Sequence, residues 1–331
     1  MVHKDFKFSL WLDFVERDFL ENEFIPLLEK NEIQGATSNP SIFAAAIMTS
    51  EAYKEQLESL KDKIPKEKYE TLAIEDIKTA AQALHPCYEA GKDGYISIEV
   101  DPFLSSDTEG TIIEAKRIFA AIDEPNVMIK VPATDAGYAA MTELMSTGIS
   151  VNATLVFSPD QAKKCLKAMK HGLDIFENNG GRRAEGVISV FVSRFDRLLD
   201  PILEKEGVNP SQTGILNAAK IYNIVEHSHT PGIRTLFAST GVKGDNLPPE
   251  YYIRELLAPH AVNTAPLATI EAYLKNPEAE PKLPTHFDEI DAYFDLIESR
   301  GINMNDVYEQ LITEGLKAFE QAFEEMLEMI K

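Results

Sequence analysis

The stretch Val127-Met128-Ile129-Lys130-Val131-Pro132-Ala133-Thr134 is a run of β-branched and long apolar residues that contains one lysine. A continuous apolar run of this kind is typical of a strand covered on both faces, as in the parallel sheets of α/β proteins. Burial lowers the pKa of a lysine ammonium, and a neutral amine attacks ketones and aldehydes to form a Schiff base. The alternative is a structural lysine whose head reaches water or a carboxylate.

Seven other apolar runs alternate with helical periodicity in the same way. The eight runs cover residues 8–14, 35–38, 95–100, 127–131, 150–157, 187–192, 234–239 and 261–263. No linker rich in Gly, Ser or Pro divides them. Eight uninterrupted β-then-α units predict an α/β fold, a single (β/α)8 TIM barrel over residues 1–331 with additional peripheral helices. A doubly wound sheet shows the same alternation and is the alternative fold.

The chain is strongly acidic, with 32 Lys and Arg against 54 Asp and Glu, and its formal net charge is 32 − 54 = −22. This charge repels nucleic acid and anionic lipid, so neither is expected as a partner. It also repels anionic substrates at long range. A phosphate-binding pocket would therefore need positive charge of its own.

Cysteine usage and the apolar runs predict a cytoplasmic protein. Cys87 and Cys165 lie in helix-like stretches and indicate a reducing compartment rather than a disulfide framework. Charged residues interrupt positions 1–10, so we expect no signal peptide there. The longest apolar runs are too short to span a bilayer.

In a barrel, the residues at the carboxyl ends of the strands converge on one mouth. The predicted strand ends contribute, in chain order, Asp13; Thr37 and Asn39; Glu99 and Asp101; Lys130 and Thr134; Asn152 and Thr154; Ser189, Phe191, Ser193 and Arg194; and Ser239 and Lys243. A lysine, acids, amides and hydroxyls that all face one mouth indicate an active site. The two cations that follow strands six and seven lie where barrels often bind phosphate.

Three other segments are expected to lie away from this mouth. Residues 303–331 predict an amphipathic helix, for which docking on the barrel wall is preferred over a lid or a dimer contact. Residues 52–90 predict a helical hairpin around Pro65. His227 and His229 could suggest a metal pair, but no third ligand with suitable spacing accompanies them. A surface position at a helix end is preferred for these histidines.

Five segments of the chain resemble the transaldolase family. Residues 35–43 (GATSNPSIF) and 128–134 (MIKVPAT) look like its two signature motifs, and residues 97–101 (SIEVD), 152–157 (NATLVF) and 189–194 (SVFVSR) are similar to three other family stretches. The resemblance implies a (β/α)8 barrel of the class I aldolase type without a metal or cofactor. It implies transfer of a dihydroxyacetone unit from sedoheptulose 7-phosphate or fructose 6-phosphate to an aldose phosphate, glyceraldehyde 3-phosphate or erythrose 4-phosphate, in the pentose phosphate pathway.

The resemblance also implies a role for each matching residue. Lys130 would form the Schiff base, Glu99 and Thr154 would hold a water that shuttles protons, and Asp13 would be the base that removes the C4 hydroxyl proton. The residues expected to bind the hydroxyls, line the pocket or bind the phosphate are Thr37, Asn39, Asn152, Ser189, Phe191 and Arg194.

The segment Ser239-Thr240-Gly241-Val242-Lys243-Gly244 departs from the family's best-known pattern. Many members have an arginine shortly after the seventh-strand serine as a second phosphate ligand. Here Lys243 would replace that arginine. The guanidinium group of an arginine can form two parallel hydrogen bonds to a phosphate, whereas the ammonium group of a lysine acts as a single point charge.

Two other functions remain as alternatives. One is an aldolase of the same superfamily that releases free dihydroxyacetone, although such enzymes lack the equivalents of Glu99 and Phe191. The other is a non-catalytic barrel. The sequence leaves open whether the chain is a monomer or a homodimer.

Overall fold

Eight parallel strands close into a barrel in chain order, so that β1 pairs with both β2 and β8. The computed structural model describes residues 3–278 and 280–331. The strands are β1 (Ser9–Leu12), β2 (Gly35–Thr37), β3 (Tyr95–Glu99), β4 (Val127–Pro132), β5 (Ser150–Val156), β6 (Gly186–Phe191), β7 (Ile233–Ala238) and β8 (Val262–Ala265). Each predicted run overlaps one of these strands. The barrel is therefore confirmed and the doubly wound sheet is wrong, since an open sheet would leave β1 and β8 apart.

Helices connect the strands and add an outer layer. They are α1 (Arg17–Phe19), α2 (Ile25–Glu29), α3 (Pro40–Thr49), α4 (Lys54–Ser59), α5 (Pro65–Glu89), α6 (Thr108–Ile122), α7 (Asp135–Ser146), α8 (Pro159–Asn178), α9 (Ser193–Leu203), α10 (Thr213–His227), α11 (Tyr251–Glu255), α12 (Leu267–Leu274), α13 (Phe287–Ser299) and α14 (Met304–Met329). Local sequence explains where they begin. At α8 the Ser158 hydroxyl accepts from the Gln161 N–H at 3.0 Å, the Gln161 side chain accepts from the Ser158 N–H at 3.0 Å, and Pro159 occupies the first helical position.

The two-residue period of β4 directs Lys130 into the barrel. Met128, two residues earlier, packs in an interior cluster with Trp11 and Leu236 from other strands. Ile129, on the opposite face, packs in the core between the strands and the helices. Alternate side chains of a strand point to opposite faces, so Lys130 lies on the interior side with Met128.

Trp11 closes the N-terminal end of the barrel. Its indole Nε1 donates to Asp93 at 3.2 Å, and Arg234 donates to the other Asp93 oxygen at 2.5 Å. Burial would raise the pKa of Asp93, but the Arg234 guanidinium outweighs it and holds that pKa below its ordinary value. Gly35 is required against the indole, because a Cβ there would lie 2.7 Å from ring atoms. Access to the barrel interior therefore lies at the opposite end.

The C-terminal helix α14 lies across the carboxyl ends of the strands. It packs against α3, α5 and the end of β5, and its Phe319 lines the barrel mouth. The apolar face predicted from the sequence exists, since Phe319, Phe323 and Met326 are all buried. Phe323 of this face docks on Tyr69 of the barrel helix α5, as predicted, but Phe319 of the same face reaches the mouth, which the prediction did not include.

The other peripheral predictions agree with the structure. Helices α4 and α5 occupy the predicted helical segment, α5 begins at Pro65, and α5 packs against β3. His227 ends α10 and His229 follows it, both exposed. Within residues 3–278 and 280–331, no helix combines the length and the apolar character needed to cross a bilayer.

Candidate active site

A cavity of about 290 Å³ opens at the carboxyl ends of the strands. Nine of the twelve predicted site residues line it: Asp13, Thr37, Asn39, Lys130, Ser189, Phe191, Arg194, Ser239 and Lys243. The other three, Glu99, Asn152 and Thr154, are buried and do not line it. The strand ends therefore converge on one cavity, as predicted, and three of the predicted residues are buried without lining it.

Strand register places Lys130 between Glu99 and Asn152. Lys130 on β4 is the Cα partner of Glu99 on β3 and of Asn152 on β5. Its Nζ lies 3.5 Å from Glu99 Oε2 and donates to the Ser38 carbonyl at 3.3 Å. With only 5% of its surface exposed, the lysine has little contact with bulk water. Its nitrogen nevertheless faces the cavity, where a carbonyl carbon can reach it.

Glu99 is a buried carboxyl group that titrates near neutrality. Burial raises its pKa to about 7, and the nearby Lys130 ammonium opposes that rise. Among the described residues, neither Glu99 oxygen has a hydrogen-bond partner, and the same holds for the buried Thr154 Oγ1. A carboxyl group with a pKa near the working pH can both donate and accept a proton.

Asp13 follows β1 directly and accepts a hydrogen bond from a hydroxyl of the neighbouring strand β2. The Thr37 hydroxyl donates to Asp13 Oδ1 at 2.7 Å, and the same hydroxyl oxygen lies 2.7 Å from Thr264 Oγ1. The Asp13 N–H donates to the Ala265 carbonyl at 2.9 Å, which anchors the backbone. Burial raises the pKa of Asp13, while Lys130 and the Thr37 hydrogen bond oppose the rise. Asp13 is thus a second buried carboxyl group with a raised pKa and, unlike Glu99, it lines the cavity.

Asn152 is fixed by two hydroxyls inside the barrel. Its Nδ2 donates to Ser97 Oγ at 2.9 Å, and Ser189 Oγ donates to its Oδ1 at 2.6 Å.

Asn39 is held differently, because it caps α3 and its Oδ1 accepts from the Ile42 N–H at 3.1 Å. The capping bond uses only its oxygen, so the Asn39 amide N–H groups remain for a ligand.

Three cations line one side of the cavity: Arg194, Arg197 and Lys243. Among the residues with described positions, none of the three has a carboxylate within ion-pair distance. The Arg194 guanidinium lies 5.1 Å from the centroid of the Phe191 ring. Burial, and then the charge of Arg197, lower the pKa of Arg194, while the charge of Glu314, which lies beyond ion-pair distance, partly opposes them. Two like charges held together without a carboxylate partner favour an anionic ligand, despite the acidic surface of the chain.

Ser239 contributes to the same side of the cavity in an unusual backbone conformation. Its φ is +55°, and its Oγ lies 3.0 Å from Ser193 Oγ. Non-glycine residues in the left-handed region are uncommon and occur preferentially at functional sites.

Sequence reasoning missed several residues of the cavity, among them Ser41, Arg197, Thr264 and Phe319. Arg197 was detectable, because it lies three residues after Arg194 at the start of a helix and so shares its face. Phe319 was not, because nothing local indicates where α14 packs. Thr134, in contrast, was expected at the mouth but caps α7, where its Oγ1 accepts from the Gly137 N–H at 3.0 Å.

A larger recess of about 580 Å³ opens at the N-terminal end of the barrel. Its Arg234 is paired with Asp93, and its His260 lies 3.5 Å from a Glu226 oxygen. These charged groups are matched by partners. The smaller cavity combines the buried lysine with the unpaired cations, and it is therefore the candidate active site.

The eight parallel strands and the cavity at their carboxyl ends define a (β/α)8 barrel whose candidate active site is centred on a lysine. A family model described as Transaldolase/Fructose-6-phosphate aldolase matches residues 10–330. A transaldolase of Campylobacter jejuni subsp. doylei is 48% identical over 330 residues, which cover 98% of this chain and 99% of that protein. A transaldolase of Helicobacter pylori (strain P12) is 45% identical over 322 residues, which cover 97% of this chain and 98% of that protein. The chain belongs to the transaldolase/fructose-6-phosphate aldolase family.

Proposed function

We propose that the chain is a transaldolase, which transfers a dihydroxyacetone unit from a ketose phosphate to an aldose phosphate through a Schiff base on Lys130. The proposal rests above all on the position of Lys130 Nζ, which lies 3.5 Å from Glu99 and faces a cavity that also contains Asp13 and three cations. Relatives that match nearly the whole chain are called transaldolase, which supports the same reaction.

The first step joins Lys130 to the donor sugar. Its amine attacks the ketone carbon to form a carbinolamine, and loss of the hydroxyl as water leaves a protonated imine. Glu99, with a pKa of about 7, supplies and removes protons in this dehydration. Thr154 Oγ1, buried and unpartnered among the described atoms, assists by binding the water that is released.

The second step breaks the C3–C4 bond of the donor. Asp13 removes the proton of the C4 hydroxyl, the aldehyde product leaves, and the electron pair of the broken bond flows into the imine to give a neutral enamine. The enamine then attacks the acceptor aldehyde, and Asp13 returns its proton to the new hydroxyl. Addition of water to the imine carbon frees the product and restores the Lys130 amine.

Polar groups of the cavity hold the three-carbon unit between cleavage of the donor and attack of the enamine on the acceptor. Asn39, Ser189 and Thr37 line the cavity, and Asn152 positions Ser189 from below. Retention of the enamine until an acceptor arrives is what separates a transferase from an aldolase. The phosphate is bound on the other side by Arg194, Ser239 and Lys243, with Arg197 as a further ligand.

The family description also includes a fructose-6-phosphate aldolase, which is the alternative activity. It uses the same imine but ends with the release of free dihydroxyacetone. The two activities are separated by a coupled assay with fructose 6-phosphate in the presence and absence of erythrose 4-phosphate. A transaldolase requires the acceptor for turnover, whereas an aldolase proceeds without it.

The covalent step is tested by borohydride reduction in the presence of fructose 6-phosphate. Wild-type protein should gain one sugar adduct on Lys130, and Lys130→Ala should gain none. Lys116→Ala is a matched control, because Lys116 is a surface residue paired with Glu143 and should not affect labelling. Labelling that persists in Lys130→Ala, or that maps to another lysine, would overturn the proposal.

We also propose that the whole chain acts as one domain in the cytoplasm, as a monomer or a homodimer, on phosphorylated sugars. The two cysteines support a reducing compartment, since both are free thiols.

A further inference from the structure

We propose that Phe319 of α14 is a further positioning residue of the reaction: its ring covers the reacting nitrogen of Lys130, favours the charged imine and keeps water away from the enamine. The proposal rests on the Schiff-base function proposed above. It adds a residue from outside the barrel strands, on a helix whose position the sequence did not indicate.

The geometry of the ring is the first support. Lys130 Nζ lies over the Phe319 ring at 5.7 Å from its centroid, within the range of a cation–π contact. Phe319 lines the cavity and is 6% exposed, so its ring separates Nζ from solvent on that side. It belongs to the interior apolar cluster that includes Leu155, Phe157 and Phe191. The ring therefore continues the apolar wall of the cavity over the lysine.

The close approach of α14 to the mouth is the second support. Gly315 lies one turn before Phe319, and a Cβ there would come within 3.1 Å of Leu155 Cδ2 and 3.3 Å of Arg194 Nη1. Glycine is unfavourable in a helix interior. Packing explains Gly315 here, because a larger residue would crowd these two side chains. Gly315 lets the helix lie directly on the rim of the cavity.

The helix is held in this position by contacts away from the lysine. The Phe323 ring packs edge-on against Tyr69 at 5.4 Å between centroids. Lys68, a buried residue of α5, donates to the carbonyls of Ile330 at 2.9 Å and Lys331 at 3.1 Å. A cation at this end also meets the negative end of the helix dipole. Phe319 thus lies on a segment anchored at both neighbouring turns and at its C-terminus.

The Phe319 ring acts differently on the two intermediates, the protonated imine and the enamine. The protonated imine carries a positive charge on the Lys130 nitrogen, and an aromatic face stabilises that charge. The enamine is neutral, and its carbon nucleophile is lost if it takes a proton from water. That proton transfer leaves hydroxide and regenerates the imine, whose hydrolysis breaks the C–N bond and releases dihydroxyacetone and the free amine. A cover over the nitrogen therefore favours transfer over release.

Two variants separate these effects, and a third serves as a control. Phe319→Leu keeps an apolar cover but removes the aromatic face, whereas Phe319→Ala removes both. Phe323→Leu changes a buried phenylalanine of the same helix, one turn further on, that does not line the cavity. Thermal unfolding and circular dichroism establish that each variant folds.

The experiment compares two ratios, each measured on protein whose folding has been established. The first is free dihydroxyacetone released per sugar transferred, with fructose 6-phosphate and erythrose 4-phosphate. The second is the fraction of Lys130 trapped by borohydride at saturating fructose 6-phosphate relative to the fraction left free. We expect Phe319→Ala to raise the first ratio several-fold. Both Phe319 variants should lower the second by about two- to thirtyfold, the range between an exposed and a desolvated cation–π contact. Phe323→Leu weakens a contact of the helix but leaves the ring over Lys130 in place, so it should change both ratios less than the Phe319 variants do.

The proposal is overturned if both Phe319 variants keep the wild-type ratios, or if Phe323→Leu changes them to the same extent. The second result would assign the effect to docking of the helix and not to the ring. If the wild type itself shows no adduct on Lys130, the proposed function fails instead, and the two failures are therefore distinguishable.

Discussion

Replacing Glu99 with glutamine should make the stability of the protein less dependent on pH. Glu99 is buried, and its pKa rises from an ordinary value of 4.5 to about 7. The folded protein therefore binds this proton more tightly than the unfolded chain does. The stability associated with it is complete below pH 4.5 and is lost as the pH rises through 7.

The size of the effect follows from the two pKa values. The difference between 4.5 and about 7 corresponds to about 3 kcal/mol in the free energy of unfolding, of which about 2.5 kcal/mol falls between pH 5 and pH 8. Glutamine has nearly the same shape and does not titrate. The wild type should therefore lose about 2.5 kcal/mol more than Glu99→Gln across this interval. Other titrating groups are common to both proteins and cancel in the comparison.

Urea unfolding of both proteins at pH 5, 6, 7 and 8 measures this difference. Glu324→Gln, an exposed residue of α14, controls for the removal of a carboxylate and should follow the wild type. Parallel pH profiles for the wild type and Glu99→Gln would refute the reasoning, because they would mean that Glu99 is already ionised at pH 5 in the folded protein. The same variant should also form the imine more slowly, since its side chain cannot transfer a proton.

Three further predictions concern the cavity and the opposite end of the barrel. Asp13→Ala should still be labelled by borohydride but should turn over about 10²- to 10⁴-fold more slowly, the range of general acid–base catalysis; a normal kcat would refute its role. Arg197→Ala and Lys243→Ala should each raise KM for fructose 6-phosphate by about tenfold or more while changing kcat less, as expected for loss of a charge-assisted contact; unchanged KM values would mean that neither cation contacts the phosphate. Asp93→Asn should destabilise the fold by about 2 kcal/mol, because it removes the buried carboxylate of Arg234 and leaves only Glu185, 3.5 Å away, as a partner; urea unfolding that matches the wild type would contradict this.

The fold predictions that depended on local sequence were confirmed. The continuous apolar run around Lys130 identified a buried parallel strand, because burial on both faces removes the polar alternation of an exposed strand. The repeated alternation of runs and helices led to the barrel, and the order of polar residues at strand ends led to nine residues of the cavity. These properties follow from the strand period and from the rule that parallel strands end on the same side.

Features that depend on contacts between distant segments were decided by the tertiary structure alone. The amphipathic face of α14 is readable in the sequence, but an apolar helix face packs equally well on a wall or over a mouth. Only the folded chain places Phe319 above Lys130 and Gly315 beside Arg194. The pKa of Glu99 is also a property of the fold, because it depends on how completely the surrounding strands exclude water and how close they bring Lys130. The sequence thus determined which chemical groups lie at the strand ends around the mouth. Burial and distance, which only the packed structure defines, determined the pKa values of these groups and the shielding of Lys130 by Phe319.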